Sequence, residues 1–342
     1  MEKKEEIKHK DPAAYYINYD FEIGNIDNYK VESKIGRGRY SDVYQGLNIK
    51  SNEKVVLKIL KPITKIKIIR EICILKTLID CPNIVKIIDV IKEKNSDIYC
   101  IICKSISGIE LKNCYIGISP ADLKLYMHKI LECLEYAHSH NIIHRDIKST
   151  NIAINSETKE LNIFDWGLSD FYIKDYKYSL TIGSRYYKAP ELLMNYKKYD
   201  YAIDIWSVGC LFGAILFQMN FLFKGNNNIN QLIVIAKHFG FNKINNFLEK
   251  YKGECFLASK FIKKMKNYEE KNWDEYINEK NKYLINDDAI DFLNKLLEID
   301  PEKRIKAKDA LNHPYLNLKK INKLYIFNLC IYIYIIINGC LR

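Results

Sequence analysis

His144-Arg145-Asp146-Ile147-Lys148-Ser149-Thr150-Asn151 is the stretch whose reading decides the fold, and Asp165-Trp166-Gly167 and Ala189-Pro190-Glu191 follow it in order. One aspartate to orient a hydroxyl, one lysine to meet phosphate charge, and an asparagine with a second aspartate to hold metal suit phosphoryl transfer. Upstream, Gly36-Arg37-Gly38-Arg39-Tyr40-Ser41-Asp42-Val43 precedes Val55-Val56-Leu57-Lys58, and Glu71 lies beyond it in an apolar-periodic segment. Each piece alone has a bland reading: a glycine loop is often a hairpin turn, an Asp-x-Gly a turn, a strand lysine a snorkelling side chain. Six pieces in one order are what coincidence does not supply.

The order and spacing resemble the signature set of protein kinases, which implies a bilobal α+β fold with a small β-rich N-lobe and a larger α-helical C-lobe. Phosphoryl transfer leaves the protein little covalent work, so its site aligns a hydroxyl with the γ-phosphate and neutralises developing charge. Asp146 is expected to accept or orient the hydroxyl proton, with Lys148, two residues on along an extended loop, stabilising the transferring group. Asn151 and Asp165 supply oxygen ligands for Mg²⁺. Lys58 is expected to contact the α- and β-phosphates and to be held by an ion pair with Glu71. Gly36 and Gly38 let backbone approach phosphate without a Cβ, while Ser41 stands where the ideal loop has its third glycine.

With 342 residues and 48% hydrophobic content the chain can bury a large core, and one two-lobed catalytic unit accounts for its length. Ten cysteines are scattered. The close pair Cys100 and Cys103 lacks a second pair or nearby histidine, so buried free thiols are expected rather than zinc. The formal charge of +11 comes without aromatic interleaving or a recognition motif, which argues against direct nucleic-acid binding and leaves acidic protein partners. The charged N-terminus, Met1 to Lys10, shows no secretory signal, so an intracellular protein of cytoplasm and nucleus is expected.

Along the chain, residues 1–28 read as an N-terminal segment packing on a core domain that spans 29–316. Alternating apolar strands at Val31 to Ile35, Asp42 to Leu47, Val55 to Leu60 and Ile98 to Cys103, broken by the helix of Glu71, form the N-lobe to about residue 103. Lys104 to Gly108 is the expected hinge, with Cys103 at the rear of the nucleotide pocket. From 109 to 316 the period becomes helical: Leu123, Tyr126, Met127, Ile130, Leu131 and Leu134 share one face, and Ile203 to Met219 and Ala289 to Leu297 follow. Residues 317–342 form an apolar tail. Its uncharged run from Leu324 to Leu341 is borderline for a membrane anchor, and a buried tail or a mispredicted exon end is the preferred reading.

The Trp166 variant of the metal motif, with Lys58-Ile59-Leu60-Lys61-Pro62, Cys81-Pro82-Asn83-Ile84, Ser184-Arg185-Tyr186-Tyr187-Lys188 and Tyr199-Asp200-Tyr201, resembles the catalytic (alpha) subunits of casein kinase II. The resemblance runs from about Tyr15 to Leu316. It implies a non-specific serine/threonine kinase that is constitutively active, prefers acidic sites, uses ATP with GTP as an alternative, and pairs with a regulatory beta subunit. It implies that Tyr15 to Tyr29 packs on the activation segment. The nucleotide site it implies comprises Gly36, Arg37, Gly38, Arg39, Tyr40, Ser41, Val43, Lys58, Cys103, Ile106, Ala153 and Phe164. Cationic groups for acidic substrates are Lys61, Lys65, Lys67, Arg70, Arg145, Arg185 and Lys188, and the beta-subunit contact maps to Val31, Tyr44, Leu57, Ile91 and Ile102.

Several positions depart from the family pattern. Thr181 replaces an arginine, Ser149 a proline and Cys103 an aromatic residue. Ala153 and Phe164 replace aliphatic side chains, and Thr64, Ile66, Ile68 and Ile69 dilute the basic run. Acidic preference is expected to persist but weaken. Two alternatives remain: an inactive pseudokinase or scaffold that binds a regulatory subunit, and a proline-directed kinase.

Overall fold

In the computed structural model of the protein, residues 11–38, 40–61, 64–94, 96–106 and 108–317 are described. The architecture is α+β and bilobal. Strands β1 (Tyr29–Arg37), β2 (Ser41–Asn48), β3 (Glu53–Leu60), β4 (Ile87–Lys92) and β5 (Tyr99–Lys104) form an antiparallel sheet in the order β1-β2-β3-β5-β4. Direct cross-strand partners point to the same face. Lys58 lies opposite Ile101, and Val56 opposite Cys103, on the face towards helix α1 (Lys65–Thr77). Leu57 lies opposite Ile102, and Ile59 opposite Cys100, on the other face, where they join Val55 and Ile91 in a small separate apolar cluster. On α1, Ile68, Glu71, Ile72 and Leu75 follow helical spacing and are buried. Ile72 and Ile74 are wholly buried, each worth roughly 1.5–3 kcal/mol of stability.

The larger lobe begins with the short strand β6 (Ile109–Glu110) and helix α2 (Pro120–Ser139). Ser119 caps α2 by accepting the Asp122 N–H at 3.0 Å, with Pro120 in the first turn. The expected face, Leu123, Tyr126, Met127, Ile130, Leu131 and Leu134, is buried. Short strands β7 (Ile142–Ile143), β8 (Ile152–Ile154), β9 (Leu161–Ile163) and β10 (Asp170–Phe171) frame the catalytic segments: β10 pairs with β7, and β8 lies between β6 and β9. Helices α3 (Pro190–Leu193), α4 (Ala202–Leu216), α5 (Asn228–Phe239), α6 (Phe241–Lys250), α7 (Ser259–Met265), α8 (Asp287–Leu296) and α9 (Ala307–Leu311) complete the lobe. Every residue of α4 is buried, as a helix apolar on all sides must be.

Some expected boundaries move. Lys104 ends β5, so the connection between lobes starts at Ser105, and Ser107 lies outside the described residues. The helix expected to reach Met219 stops at Leu216, where the Phe217 N–H turns back to the Gly213 carbonyl. Strand β4 was not foreseen. Arg39, Pro62, residues 1–10 and the tail from 318 also lie outside the described residues. Among the described residues no helix is long and apolar enough to cross a membrane.

The described part of the N-terminal segment, 11–28, lies against both lobes. Tyr15 stacks on Phe171 with ring centroids 4.6 Å apart, and Tyr16 lies 6.2 Å from the same ring. Further on, the Gly24 N–H donates to the Val90 carbonyl at 2.8 Å, and the Tyr29 hydroxyl donates to Asp89 at 2.9 Å. Aromatic pairs at these separations add about 0.5–1.5 kcal/mol beyond their buried area.

Candidate active site

Register across three strands builds the upper wall of the site. Gly36 pairs with Val43, and Val43 with Lys58, so the glycine loop folds over the strand that carries the lysine. The loop is pinned by the Gly38 N–H on the Ser41 carbonyl and by Lys61 Nζ on the Gly38 carbonyl, both at 2.8 Å. A Cβ on Gly36 or Gly38 would meet only ordinary protein contacts, at 3.5 and 3.4 Å, so packing within the chain does not demand glycine at either position. Lys58 Nζ donates to Glu71 Oε1 at 2.6 Å and to Asp165 Oδ1 at 2.9 Å. Burial opposes the ammonium charge, but Glu71 and Asp165 outweigh it and hold Lys58 protonated above the ordinary lysine range. The same lysine depresses the Asp165 carboxyl.

The lower wall is the catalytic loop. Asp146 Oδ2 accepts from Lys148 Nζ at 2.6 Å, Oδ1 accepts from Ser184 Oγ at 2.9 Å, and Lys148 also reaches Ser184 Oγ at 3.2 Å. Asn151 Nδ2 donates to the Asp146 carbonyl at 3.0 Å and to its carboxylate at 3.3 Å. Lys148 has extended backbone, φ −162° and ψ 161°, which places it on the same side of the loop as Asp146. The loop is anchored from beneath by Asp204 in α4, 1% exposed, which accepts the N–H groups of His144 and Arg145 at 2.9 and 2.8 Å and pairs with His138 at 3.0 Å. Trp166, 1% exposed, lies edge-on to the His144 ring at 4.5 Å, tying the metal motif to the loop. Burial holds His144 neutral by lowering its pKa.

The donor set fits a divalent metal. Asn151 uses its amide nitrogen on Asp146, which leaves Oδ1 as an acceptor, and Asp165 uses Oδ1 on Lys58 while Oδ2 has no hydrogen bond to protein among the described residues. Two protein oxygens suffice for Mg²⁺, which keeps water and phosphate as its other ligands. Gly167 follows closely: a Cβ there would come within 3.1 Å of Glu71 Oε2.

Of the expected nucleotide residues, Val43, Lys58 and Cys103 share the inner sheet face. Ala153 lies in β8, and the Phe164 N–H donates to the Asn151 carbonyl at 3.0 Å. Ile106 is half-buried in the connection, Arg37 and Tyr40 are exposed at the loop, and Ser41 is buried at its base. Burial, the principal cause, pushes the Cys103 thiol up to about 12, so it presents as a neutral, space-filling group.

The cationic groups divide differently from the expectation. Lys65, Lys67 and Arg185 are exposed; Lys67 lies 5.9 Å from the Tyr40 ring centroid, and Arg185 Nη1 donates to the Asn226 carbonyl at 2.7 Å. Arg70 and Arg145 are turned inward, and both bond Asp170, at 3.1 and 2.9 Å. Arg145 is 6% exposed. Where the resemblance has both arginines facing substrate, the structure commits the two guanidiniums to one internal carboxylate. Lys188 is 8% exposed and reaches the Leu180 carbonyl at 3.3 Å, and burial lowers its pKa.

The outer sheet face offers the expected partner positions unequally. Leu57, Ile91 and Ile102 are 2%, 4% and 0% exposed, already covered by their own cluster with Tyr44 half-buried at its edge. Val31, 49% exposed, is the one of the five with much surface to offer a partner. Sequence reasoning quoted Ser184 and Glu191 within motifs but assigned no role to them, to Asp170 or Asp204, or to the pair that Glu191 forms with Arg304. In that pair both side chains are 0% exposed, and Arg304 Nη1 and Nη2 meet the two carboxylate oxygens at 2.8 and 3.0 Å. A lone acid inside an apolar helix marks Asp204 in the sequence, and Ala189-Pro190-Glu191 marks Glu191; Asp170 and Arg304 carry no local mark. Residues 29–316 match the family model described as protein kinase domain.

Proposed function

The chain belongs to the protein kinase family, and from that premise we propose that it is a casein kinase II alpha-like serine/threonine kinase directed to acidic sites and active without activating phosphorylation. As a protein kinase it uses ATP and a divalent metal. The observation that carries the proposal is the closed cluster of Asp146, Lys148 and Ser184 standing with an intact Lys58–Glu71 pair. Asp146 accepts the proton of the incoming hydroxyl, Lys148 offsets charge on the transferring group, and Lys58 holds the nucleotide phosphates. Asn151 and Asp165 would hold Mg²⁺, which when bound supplies charge neutralisation at the phosphates. Independence from phosphorylation is supported by Tyr15 and Tyr16 packed on Phe171, because the activation segment is then braced by the chain's own N-terminal segment.

Acidic preference is supported by the exposed cations Lys65, Lys67 and Arg185 and is weakened by Thr181, exposed where an arginine would strengthen it. A regulatory partner on the outer sheet face would meet Val31 and the edge formed by Tyr44. GTP as a second donor and residence in cytoplasm and nucleus complete the proposal. Mg²⁺-dependent transfer of labelled phosphate to a serine peptide with a downstream acidic run, set against the same peptide with neutral residues, tests it. Preferential labelling of the acidic peptide is expected. Equal labelling of both, or preference for a proline-containing peptide, would overturn the substrate class, and competition by GTP tests the second donor.

A further inference from the structure

We propose that Ser149 is a positioning residue for peptide selection, its side chain fastening the turn that follows Lys148 to the turn that carries Arg185. The Ser149 and Tyr187 hydroxyls share a hydrogen bond of 3.0 Å, between side chains of residues that are 4% and 5% exposed. Ser149 opens the tight turn Ser149–Asn151, and Tyr187 closes the tight turn Arg185–Tyr187. The bond is a second tie between these two segments, since Ser184 Oγ already donates to Asp146 at 2.9 Å and accepts from Lys148 Nζ at 3.2 Å. Arg185 lies between the two ties, exposed, with Nη1 on the Asn226 carbonyl at 2.7 Å. The presentation of its guanidinium therefore depends on how firmly the turn is held at both ends.

The residue types explain why the second tie matters. Proline, which the resemblance places at 149, fixes its own φ and needs no partner, whereas serine leaves the backbone freer and brings a hydroxyl that burial obliges to find one. Tyr187, 38 residues on, supplies that partner. The catalytic side of the contact is held without Ser149, because Asp204 accepts the His144 and Arg145 N–H groups and Asn151 Nδ2 donates to the Asp146 carbonyl. The peptide side has less support: Ser207 Oγ of α4 donates to the Tyr187 carbonyl at 2.9 Å, which grips the backbone and not the far end of the ring. Losing the hydroxyl bond is therefore expected to loosen the turn of Arg185 more than Asp146, weakening peptide recognition while sparing the chemical step.

The inference rests on the reading of an acidic-directed kinase, and its test separates the two. In Ser149→Ala and in Tyr187→Phe the KM of the acidic serine peptide is expected to rise about 3- to 10-fold, with kcat and the ATP KM within about twofold, and the preference for the acidic over the neutral peptide is expected to fall by a similar factor. Both changes cut one bond, so the double variant is expected to be no worse than the poorer single one, and multiplied losses would overturn the tie. Ser149→Thr, which keeps the hydroxyl, is expected to recover part of the KM. A folded single variant that loses thermal stability but keeps the wild-type peptide KM and preference makes the bond structural alone and overturns the proposal, as does a loss confined to kcat. Should a single variant not fold, the double variant, which leaves neither hydroxyl of the pair unpaired, carries the comparison with the wild type. If the wild-type protein labels both peptides equally or transfers no phosphate, the reading of the substrate or of the enzyme fails separately, and hydrogen exchange reads the tie without turnover. Faster exchange at residues 185–188 of Ser149→Ala supports it; exchange unchanged there, or faster only at 149–151, overturns it.

Discussion

The Asp204 carboxylate accepts the backbone N–H of Arg145 at 2.8 Å from inside α4, a helix whose every residue is buried. It accepts the His144 N–H as well, so one side chain sets the backbone on which Asp146 is carried. Replacing Asp204 with alanine leaves two buried donors unpaired, each costing about 1–3 kcal/mol. Asp204→Ala is expected to lower stability by roughly 2–6 kcal/mol in denaturant unfolding and to abolish turnover. Unchanged stability would show that the loop is held by something else.

The Lys58–Glu71 pair, 2.6 Å long with Glu71 5% exposed, should give asymmetric effects. Lys58→Met removes the phosphate contact and strands a buried carboxylate, so a fall in kcat of about 10²–10³-fold is expected. Glu71→Gln keeps the lysine and a hydrogen-bonding partner, and should lose less. Steady-state kinetics on both variants checks the order; a larger loss in Glu71→Gln would contradict direct phosphate contact by Lys58.

Arg304 and Glu191 form a fully buried bidentate pair that fastens the end of the activation segment to the loop before α9. Breaking one side leaves an uncompensated buried charge, so Arg304→Met is expected to cost about 3–5 kcal/mol. The paired change Arg304→Met with Glu191→Leu should recover much of that loss. Thermal unfolding of the three proteins measures it, and a double variant less stable than the single one would refute the charge explanation.

His238, 3% exposed and with its ring centroid 3.7 Å from that of Trp273, has its pKa lowered by burial from 6.5 to about 4. The unfolded chain therefore takes up a proton that the folded chain refuses. Its contribution is fully present above pH 6.5 and is lost as pH falls through 6.5 towards 4, on the order of 3 kcal/mol in all. In His238→Phe the unfolding midpoint should vary less over that interval than in the wild type. An unchanged slope would assign the acid sensitivity to other groups.

Legibility followed the range of the interactions. Strands β1, β2, β3 and β5 were readable because their apolar alternation is local, and the face of α2 because its period spans several turns. Strand β4 was missed where Ile87 and Ile88 adjoin and a register shift between Ile87 and Asp89 interrupts the alternation. The residue types of Lys58, Glu71, Asp146, Lys148, Asn151 and Asp165 stood in a recognisable order, and the structure brings them to one cleft. The inward turn of Arg70 and Arg145 was not legible because their partner Asp170 lies 100 and 25 residues away in sequence, and a surplus of basic residues says nothing about which way each points. Leu57 and Ile102 could not be told from contact surface because strand alternation specifies a face, not what covers it.

Phosphate transfer by Asp146→Asn, with nucleotide affinity measured on the same sample, tests the central assignment most directly. The asparagine preserves the bond from Ser184 while losing the charge that orients the hydroxyl and pairs with Lys148. Loss of turnover by about 10³-fold or more with ATP affinity within a few-fold of wild type is the expected result. Turnover near the wild-type rate from the folded variant would contradict the role given to Asp146.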